Sequence, residues 1–190
     1  MYPFLKGERV YLRQLTDDDC KGRYLEWFND AEVCAGNSHH VRPFNRQDAL
    51  DYVYNTEDLV LAIITEPFHE MMGMEVKWPD GGFHIGNVAL QNIHPVYRSA
   101  DFSIIIGEKD YWGKGYGKEV ATLIINHGFM AMGLLRIACA TFDTNHAMRG
   151  LAKSLGFREE GNRLAAVYKN GEFLNIIEYG LLTEGWKENR

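Results

Sequence analysis

Cysteine is scarce in this chain, and the few cysteines present form no recognisable pattern. The 190 residues contain three, Cys20, Cys34 and Cys139, with neither a C-x-x-C pair nor a disulfide framework. Free thiols are typical of a reducing compartment, so we expect a cytoplasmic protein. The adjacent residues His39 and His40 have no third ligand at a useful spacing, so no metal is expected.

Long apolar runs and basic runs are also missing. No stretch reaches the ~18 apolar residues of a membrane-spanning helix, and residues 1–8 lack the pattern of a secretory signal. The formal net charge is −6 without a run of five basic residues, so we expect neither membrane nor nucleic acid as a partner. An amine substrate is compatible with this charge. The length and a hydrophobic content of 46% suit one globular domain over 1–190.

Hydrophobic periodicity predicts strands interleaved with a few helices. Apolar runs predict strands over 8–15, 59–64, 71–76, 83–93, 102–107, 134–142, 157–169 and 172–182. Helical spacing predicts a helix capped by Thr16 and ending near residue 30, and further helices over 45–54, 116–132 and 146–154. Asn170-Gly171 is a strong hairpin signal. This order of elements indicates a mixed α/β fold.

A glycine-rich turn, Trp112-Gly113-Lys114-Gly115-Tyr116-Gly117-Lys118, separates a predicted strand from a predicted helix. Alternate glycines let the backbone approach a bulky anion, and the free N–H groups of a first helical turn attract phosphate. The spacing fits neither the Walker pattern nor the dinucleotide fingerprint G-x-G-x-x-G. Two interpretations remain: a phosphate cradle, or a turn whose glycines serve geometry alone.

This turn resembles the acetyl-CoA motif Q/R-x-x-G-x-G/A of the GNAT superfamily of N-acetyltransferases, with Trp112 where Gln or Arg is usual. Asn145-His146-Ala147-Met148-Arg149, followed by Leu155-Gly156-Phe157, is similar to a second family segment. Leu5 to Arg13 and Trp27-Phe28-Asn29-Asp30 resemble the opening of ribosomal-protein N-terminal acetyltransferases. Arg98 to Ile106 resembles the fourth strand of spermidine N-acetyltransferases.

The resemblance implies the GNAT fold, a mixed sheet of about seven strands, splayed in the middle, with helices on both faces. It implies acetyl-CoA as cosubstrate and direct transfer to an amine. Asn145, and backbone groups of Ile104, Ile105, Ile106 and Gly107, are expected to contact the pantetheine arm. The pyrophosphate is expected to bind the backbone N–H groups of seven consecutive residues, with added charge from the two lysines among them. These residues are Trp112, Gly113, Lys114, Gly115, Tyr116, Gly117 and Lys118.

The resemblance also directs attention to the catalytic base. The related branch often carries an acid at the position of Asp101, which would accept the amine proton or hold the cationic acceptor. His94 is a second candidate, because a neutral imidazole suits a base near pH 7. Their ordinary alternatives are a strand-end carboxylate that caps backbone amides and a loop histidine.

One departure from the family concerns the proton for the leaving thiolate. Many members place a tyrosine seven residues after the motif asparagine, and this chain has Ala152 there. Tyr168, Tyr111 or water remain as sources, and an acetyl-CoA sensor or assembly module with little catalysis remains an alternative function, as does a non-enzymatic interaction domain whose glycine turn is structural.

The acceptor amine is left open by the sequence. A polyamine, an amino sugar and a protein N-terminus are all compatible. The first helix offers aromatic walls and carboxylates that suit an ammonium group, or simply a packed face and a solvated one: Tyr24, Glu26, Trp27, Phe28, Asp30 and Glu32. The related branch also implies a possible homodimer.

Overall fold

The computed structural model of the chain describes residues 2–54, 57–65 and 82–188. In these residues eight strands form one mixed sheet: β1 (Leu5–Lys6), β2 (Val10–Gln14), β3 (Leu59–Thr65), β4 (Phe83–His94), β5 (Ser99–Ile106), β6 (Arg136–Phe142), β7 (Arg158–Lys169) and β8 (Glu172–Leu182). Their order is β1-β2-β3-β4-β5-β6-β8-β7, and β5 with β6 is the parallel pair. The strands predicted from apolar runs omit the short β1, and the predicted strand over 71–76 lies outside the described residues.

Helices cover both faces of the sheet, as predicted. They are α1 (Arg23–Asn29), α2 (Arg46–Tyr54), α3 (Tyr116–Met130), α4 (His146–Ser154) and α5 (Thr183–Glu188). The larger core lies between the sheet and α3, α4 and α5, while α1 and α2 bury a second, aromatic-rich cluster against Ile105 on the other face. No helix in the described ranges is long and apolar enough to cross a membrane.

The sheet opens at its centre, between β5 and β6. These strands pair at three positions, the last joining Asp101 to Ala138, and no later pair occurs in the described residues. Helix α3 connects the two strands, as a parallel crossover requires. The C-terminal half of β5 therefore keeps its β4 partner on one side and leaves its other edge open, which is the splay expected from the family resemblance.

The predicted helix cap at Thr16 is wrong. Residues 17–22 form turns, and α1 begins only after Gly22, whose φ is +65°. Asp19 in this turn is buried and accepts hydrogen bonds from both terminal nitrogens of Arg13, at 2.7 and 2.9 Å, and from the Thr16 amide at 2.7 Å. A buried carboxylate needs such partners, and the turn that starts at Thr16 does not continue into α1.

Replacing Asp19 with asparagine is expected to lower the free energy of unfolding by about 3–5 kcal/mol, because it removes the buried carboxylate that accepts from both terminal nitrogens of the buried Arg13 side chain. Burial alone would raise the pKa of Asp19, but the Arg13 guanidinium and further partners hold it below its ordinary value of 3.8. This stabilisation is therefore complete above about pH 4 and is lost as the pH falls through the folded-state pKa.

Urea unfolding across this pH range measures the effect. Asp18→Asn is the matched control, because Asp18 pairs with Lys21 on the surface at 2.8 Å and such pairs contribute at most about 1 kcal/mol. Equal losses in the two variants would contradict the assignment.

Candidate functional site

The glycine-rich turn joins β5 to α3 and owes its shape to two glycines. Gly113 has φ +69° and Gly115, the N-cap of α3, has φ +85°, a left-handed conformation that side chains disfavour. A Cβ atom built on Gly113 would meet no other atom within 4 Å. The turn therefore presents bare backbone to open space.

The amides of this turn are chemically able to bind an anion. Within the described residues the N–H groups of 113–117 donate no hydrogen bond, and they open α3, where the first helical N–H groups lack partners. The amides of Trp112 and Lys118, which are also predicted to contact the pyrophosphate, donate to Lys109 O at 3.0 Å and to Gly115 O at 3.2 Å. The Trp112 indole donates instead to Ile106 O at 2.7 Å, which ties the turn to β5.

Arg9 is a part of this site that sequence reasoning missed. Its guanidinium donates to Lys114 O at 3.0 Å and to Glu119 at 2.9 Å, and it lies 4.5 Å from the centre of the Tyr116 ring. Burial alone would raise the pKa of Glu119, but hydrogen bonds from the Arg9 amide and side chain outweigh it and lower that pKa. The network fixes the turn to the N-terminal strand pair and places the Arg9 guanidinium, paired with the Glu119 carboxylate, beside the free amides.

The open edge of β5 runs from the divergence point toward the glycine turn. Ile104, Ile105 and Ile106 pair with Val88, Asn87 and Gly86 of β4 on one side, and no strand pairs with their other side in the described chain. Gly107, predicted as part of this edge, is not available, because its N–H donates to Ile85 O at 2.9 Å. An extended chain with amide groups could add here as a further strand.

A cavity of about 280 Å³ lies on the face of the sheet opposite to α3, between strands β3, β4 and β5 and the helices α1 and α2. Four aromatic side chains line it, Tyr24, Phe28, Phe44 and Tyr52, together with neutral polar groups that include Asn87, Gln91 and Ser103. Of the residues predicted to bind the acceptor amine, Tyr24 and Phe28 thus line the cavity. Asp30 and Glu32 do not line it and instead form ion pairs with Lys109.

Asp101 lies on the cavity face of the sheet, and His94 does not reach it. In the β4–β5 register Asn87 opposes Ile105 and Ala89 opposes Ser103, and all four line the cavity. The next pair on the same face is Gln91 with Asp101. Asn92 donates to its carboxylate at 2.9 Å. His94 is the exposed last residue of β4; it stacks on Tyr97 of the following turn at 4.0 Å and accepts the Tyr97 amide at its Nδ1.

A loop between α1 and α2 connects the cavity with the opening in the sheet. Asn37 and His39 of this loop line the cavity, and Gly36 O accepts a hydrogen bond from Asn145 at 3.1 Å. The Asn145 side chain also accepts the Met148 amide at 3.0 Å and thereby caps the N-terminus of α4. Ala152 is buried in the same helix.

Lys169 of β7 holds this loop in place. Its buried ammonium donates to the carbonyl oxygens of Cys34, Asn37 and His39, and burial lowers its pKa. Sequence reasoning missed Lys169 because at least 130 positions separate it from the loop residues that it contacts. The described residues contain no group of three His, Cys, Asp or Glu side chains able to hold a metal.

Comparison with known proteins agrees with this arrangement. The sequence profile of the acetyltransferase (GNAT) domain matches residues 9–158. The uncharacterized N-acetyltransferase YoaA of Bacillus subtilis is 26% identical over 96% of this chain and 98% of its own length. Spermidine N(1)-acetyltransferase of Escherichia coli is 27% identical over 75% of this chain and 85% of its own length.

A solved structure shares the fold. The spermidine N-acetyltransferase from Vibrio cholerae, crystallised with CoA and spermine, superposes with a TM-score of 0.77 at 20% identity, over 94% of this chain and 98% of that one. The profile match covers most of the chain, and the relatives are N-acetyltransferases. The chain therefore belongs to the GNAT acetyltransferase family and is an N-acetyltransferase.

Proposed function

We propose that the protein moves an acetyl group from acetyl-CoA directly to a primary amine of a small molecule or a peptide N-terminus. The observation that carries the proposal is a row of five backbone N–H groups, those of residues 113–117, that donate no hydrogen bond within the described residues. They lie at the N-terminus of α3, beside the open edge of β5. An anion site next to an unpaired strand edge suits a ligand with a diphosphate and an amide-bearing arm.

The residues present fit acetyl-CoA. The amides of Gly113, Lys114, Gly115, Tyr116 and Gly117 would hold the diphosphate, with charge from Lys114 and Lys118. Backbone groups of Ile104, Ile105 and Ile106 would pair with the pantetheine arm. The Asn145 side-chain oxygen caps α4, and one of its two Nδ2 hydrogens is donated to Gly36 O. Asn145 would contact the same arm through the other Nδ2 hydrogen.

The cavity would bind the acceptor amine, and Asp101 would act as the general base. Acetyl-CoA contributes the acetyl group as a thioester, and the attacking amine must lose its proton before it reacts. Asp101 faces the same side as the cavity lining, and Asn92 orients its carboxylate. It would take the amine proton directly or through one water. Asp101 is preferred over His94, whose Nδ1 is engaged in the exposed turn.

We assign water as the donor of the proton that the leaving thiolate takes up. Ala152 carries no acid, Tyr168 is exposed on the hairpin against Phe173, and Tyr111 packs between Phe83 and Tyr116 near the glycine turn. None of these tyrosines lines the cavity.

Three wider features belong to the proposal. Residues outside the matched 9–158 include β8, which pairs with β6 and would complete a single domain over 1–190. The three buried free cysteines suit a cytoplasmic protein. Exposed apolar side chains on the β7–β8 hairpin, Leu164, Tyr168 and Phe173, suit a homodimer contact.

Release of CoA thiol from acetyl-CoA tests the proposal over a panel of polyamines, amino sugars and peptide N-termini. Acetyl-CoA affinity is measured separately by calorimetry. We expect binding and turnover with one acceptor class. Tight binding without turnover on any amine would favour the acetyl-CoA sensor, and failure to bind would refute the proposal.

Lys169→Met is expected to raise the KM for the amine about tenfold, a loss of about 1.4 kcal/mol, with little change in acetyl-CoA affinity. The substitution keeps the apolar stem but removes the donors that hold the cavity loop. Steady-state kinetics with each substrate varied in turn measures the split. Arg163→Met, on the exposed part of the same strand, is the control. A raised acetyl-CoA Kd with an unchanged amine KM would contradict this role of the loop.

A further inference from the structure

Three side chains of the cavity wall form a hydrogen-bonded chain that ends at Ser103. Gln91 of β4 donates through Nε2 to the hydroxyl of Tyr52 on α2 at 2.9 Å. Ser103 of β5 donates its hydroxyl hydrogen to Gln91 Oε1 at 2.8 Å. All three residues line the cavity and are partly buried. Because a hydroxyl has one hydrogen and an amide oxygen only accepts, the Ser103 oxygen offers lone pairs to a ligand and no hydrogen.

Tyr52 anchors the other end of this chain. Burial, with a smaller contribution from the Asp58 carboxylate, raises the pKa of Tyr52 to about 12, so its hydroxyl stays protonated near neutral pH. The Gln91 side chain therefore has a neutral partner at each end, and turning its amide would break a hydrogen bond. The direction of the Ser103 hydroxyl is thus determined by the protein itself.

Ser103 lies beside the proposed base on the strand whose edge is open. Asp101 and Ser103 are two positions apart on β5, so their side chains leave the same face of the sheet. Their Cα atoms are roughly 7 Å apart, a gap that one nitrogen can bridge with a hydrogen bond of about 2.9 Å to each side chain. Ile104, the next residue, belongs to the edge proposed for the pantetheine arm. Ser103 therefore lies where the acceptor and the thioester would meet.

We propose that the Ser103 hydroxyl accepts a hydrogen bond from the attacking nitrogen of the acceptor, and that Gln91 is the positioning residue that aims this hydroxyl. A protonated primary amine has three N–H groups, and one of these protons passes to Asp101. A second N–H held by Ser103 fixes the direction of the nitrogen lone pair, which must face the thioester carbonyl carbon. The inference rests on the proposed function, because this nitrogen is the one that is acetylated.

The step balances without a further reactant. The nitrogen lone pair forms the new C–N bond, and the C–S bond breaks with its electron pair on the sulfur of CoA. The nitrogen releases a second proton to solvent, and the thiolate takes up a proton from water. The N–H that Ser103 holds is the one that remains in the amide product. Ser103 keeps its own hydrogen throughout and acts by hydrogen bonding alone.

Ser103→Ala tests this contact in the CoA thiol-release assay with spermidine, glucosamine and trialanine as acceptors. For each amine that the wild-type protein acetylates, we expect kcat/KM to fall about 10- to 100-fold, the effect of losing a hydrogen bond to a charged group. Acetyl-CoA affinity in calorimetry should not change, because the Ser103 side chain lines the cavity. Ser99→Ala is the matched control on the same strand and should change kcat/KM less than about threefold.

Gln91→Met separates positioning from a merely structural role. Methionine is of similar length but accepts no strong hydrogen bond from Ser103, so we expect kcat/KM to fall about tenfold. In the Ser103→Ala background the same substitution should change kcat/KM less than about twofold, because Gln91 acts through Ser103. Urea unfolding shows whether each variant is folded. Losses that multiply in the double variant would overturn the positioning role of Gln91.

The outcomes separate this inference from the proposed function. If the wild-type protein acetylates none of the three amines, the proposed transfer fails for these acceptor classes and the role of Ser103 fails with it. If the wild-type protein is active, an unchanged kcat/KM for Ser103→Ala, or an equal loss for Ser99→Ala, would overturn the role of Ser103 alone. A weaker acetyl-CoA affinity of Ser103→Ala with unchanged amine kinetics would overturn it as well.

Discussion

Substituting alanine for both Gly113 and Gly115 is expected to weaken acetyl-CoA binding about 100-fold, or by about 2.8 kcal/mol. Both glycines lie in the left-handed region, where each alanine costs about 1–2 kcal/mol. The turn can escape this strain by changing conformation, and its free amides would then no longer converge on one anion. Calorimetry measures the affinity, and urea unfolding shows whether the variant remains folded.

Gly150→Ala is the matched control for this experiment. Gly150 lies in α4, its φ is not positive, and an added Cβ meets no atom within 4 Å. The substitution should leave acetyl-CoA affinity unchanged and raise stability by about 0.5–1 kcal/mol, as glycine replacement within a helix does. An unaltered affinity in the double variant would show that the turn is structural and binds no phosphate.

Asp101→Asn is expected to lower kcat about 100- to 10,000-fold, the range that loss of a general base produces. Asparagine keeps the size of the side chain and can still accept from Asn92, so the strand and the cavity edge should be preserved. Acetyl-CoA affinity should not change, because Asp101 lies at the far end of β5 from the glycine turn. Steady-state rates with saturating substrates and calorimetry measure the two quantities.

His94→Gln distinguishes the two bases that the sequence suggested. His94 accepts the Tyr97 amide in an exposed turn, and glutamine should change kcat by less than about threefold, as expected for a surface substitution. A larger fall in kcat for His94→Gln than for Asp101→Asn would reverse the assignment of the base.

Local sequence signals predicted the local elements well. Asn170 and Gly171 both adopt positive φ between β7 and β8, as the hairpin signal requires. Helix α4 has the predicted bounds, because Asn145 caps it and Gly156 ends it within a few residues of the apolar pattern. The resemblance to the GNAT superfamily also predicted the open β5–β6 pair, which periodicity alone does not reveal.

Long-range contacts explain what the sequence did not reveal. The predicted helix cap at Thr16 was wrong, and the sequence did not reveal that Asp19 of this turn pairs with the buried Arg13. Arg9 and Lys169 reach the site through contacts with distant parts of the chain, for which no local spacing exists. Ser103 offered a weak signal, a polar residue inside the apolar strand β5, but its partner Gln91 lies on β4.

The central claim, that the amides of the glycine turn hold the diphosphate of acetyl-CoA, is tested most directly by nuclear magnetic resonance on isotope-labelled protein. Glycine amides resonate in a separate region, so Gly113, Gly115 and Gly117 can be compared with Gly150, Gly161 and Gly171 during a titration. We predict that the first three shift together as acetyl-CoA is added, with the Kd found by calorimetry, while the other three stay in place. Saturation of the protein without movement of Gly113 and Gly115 would contradict the claim.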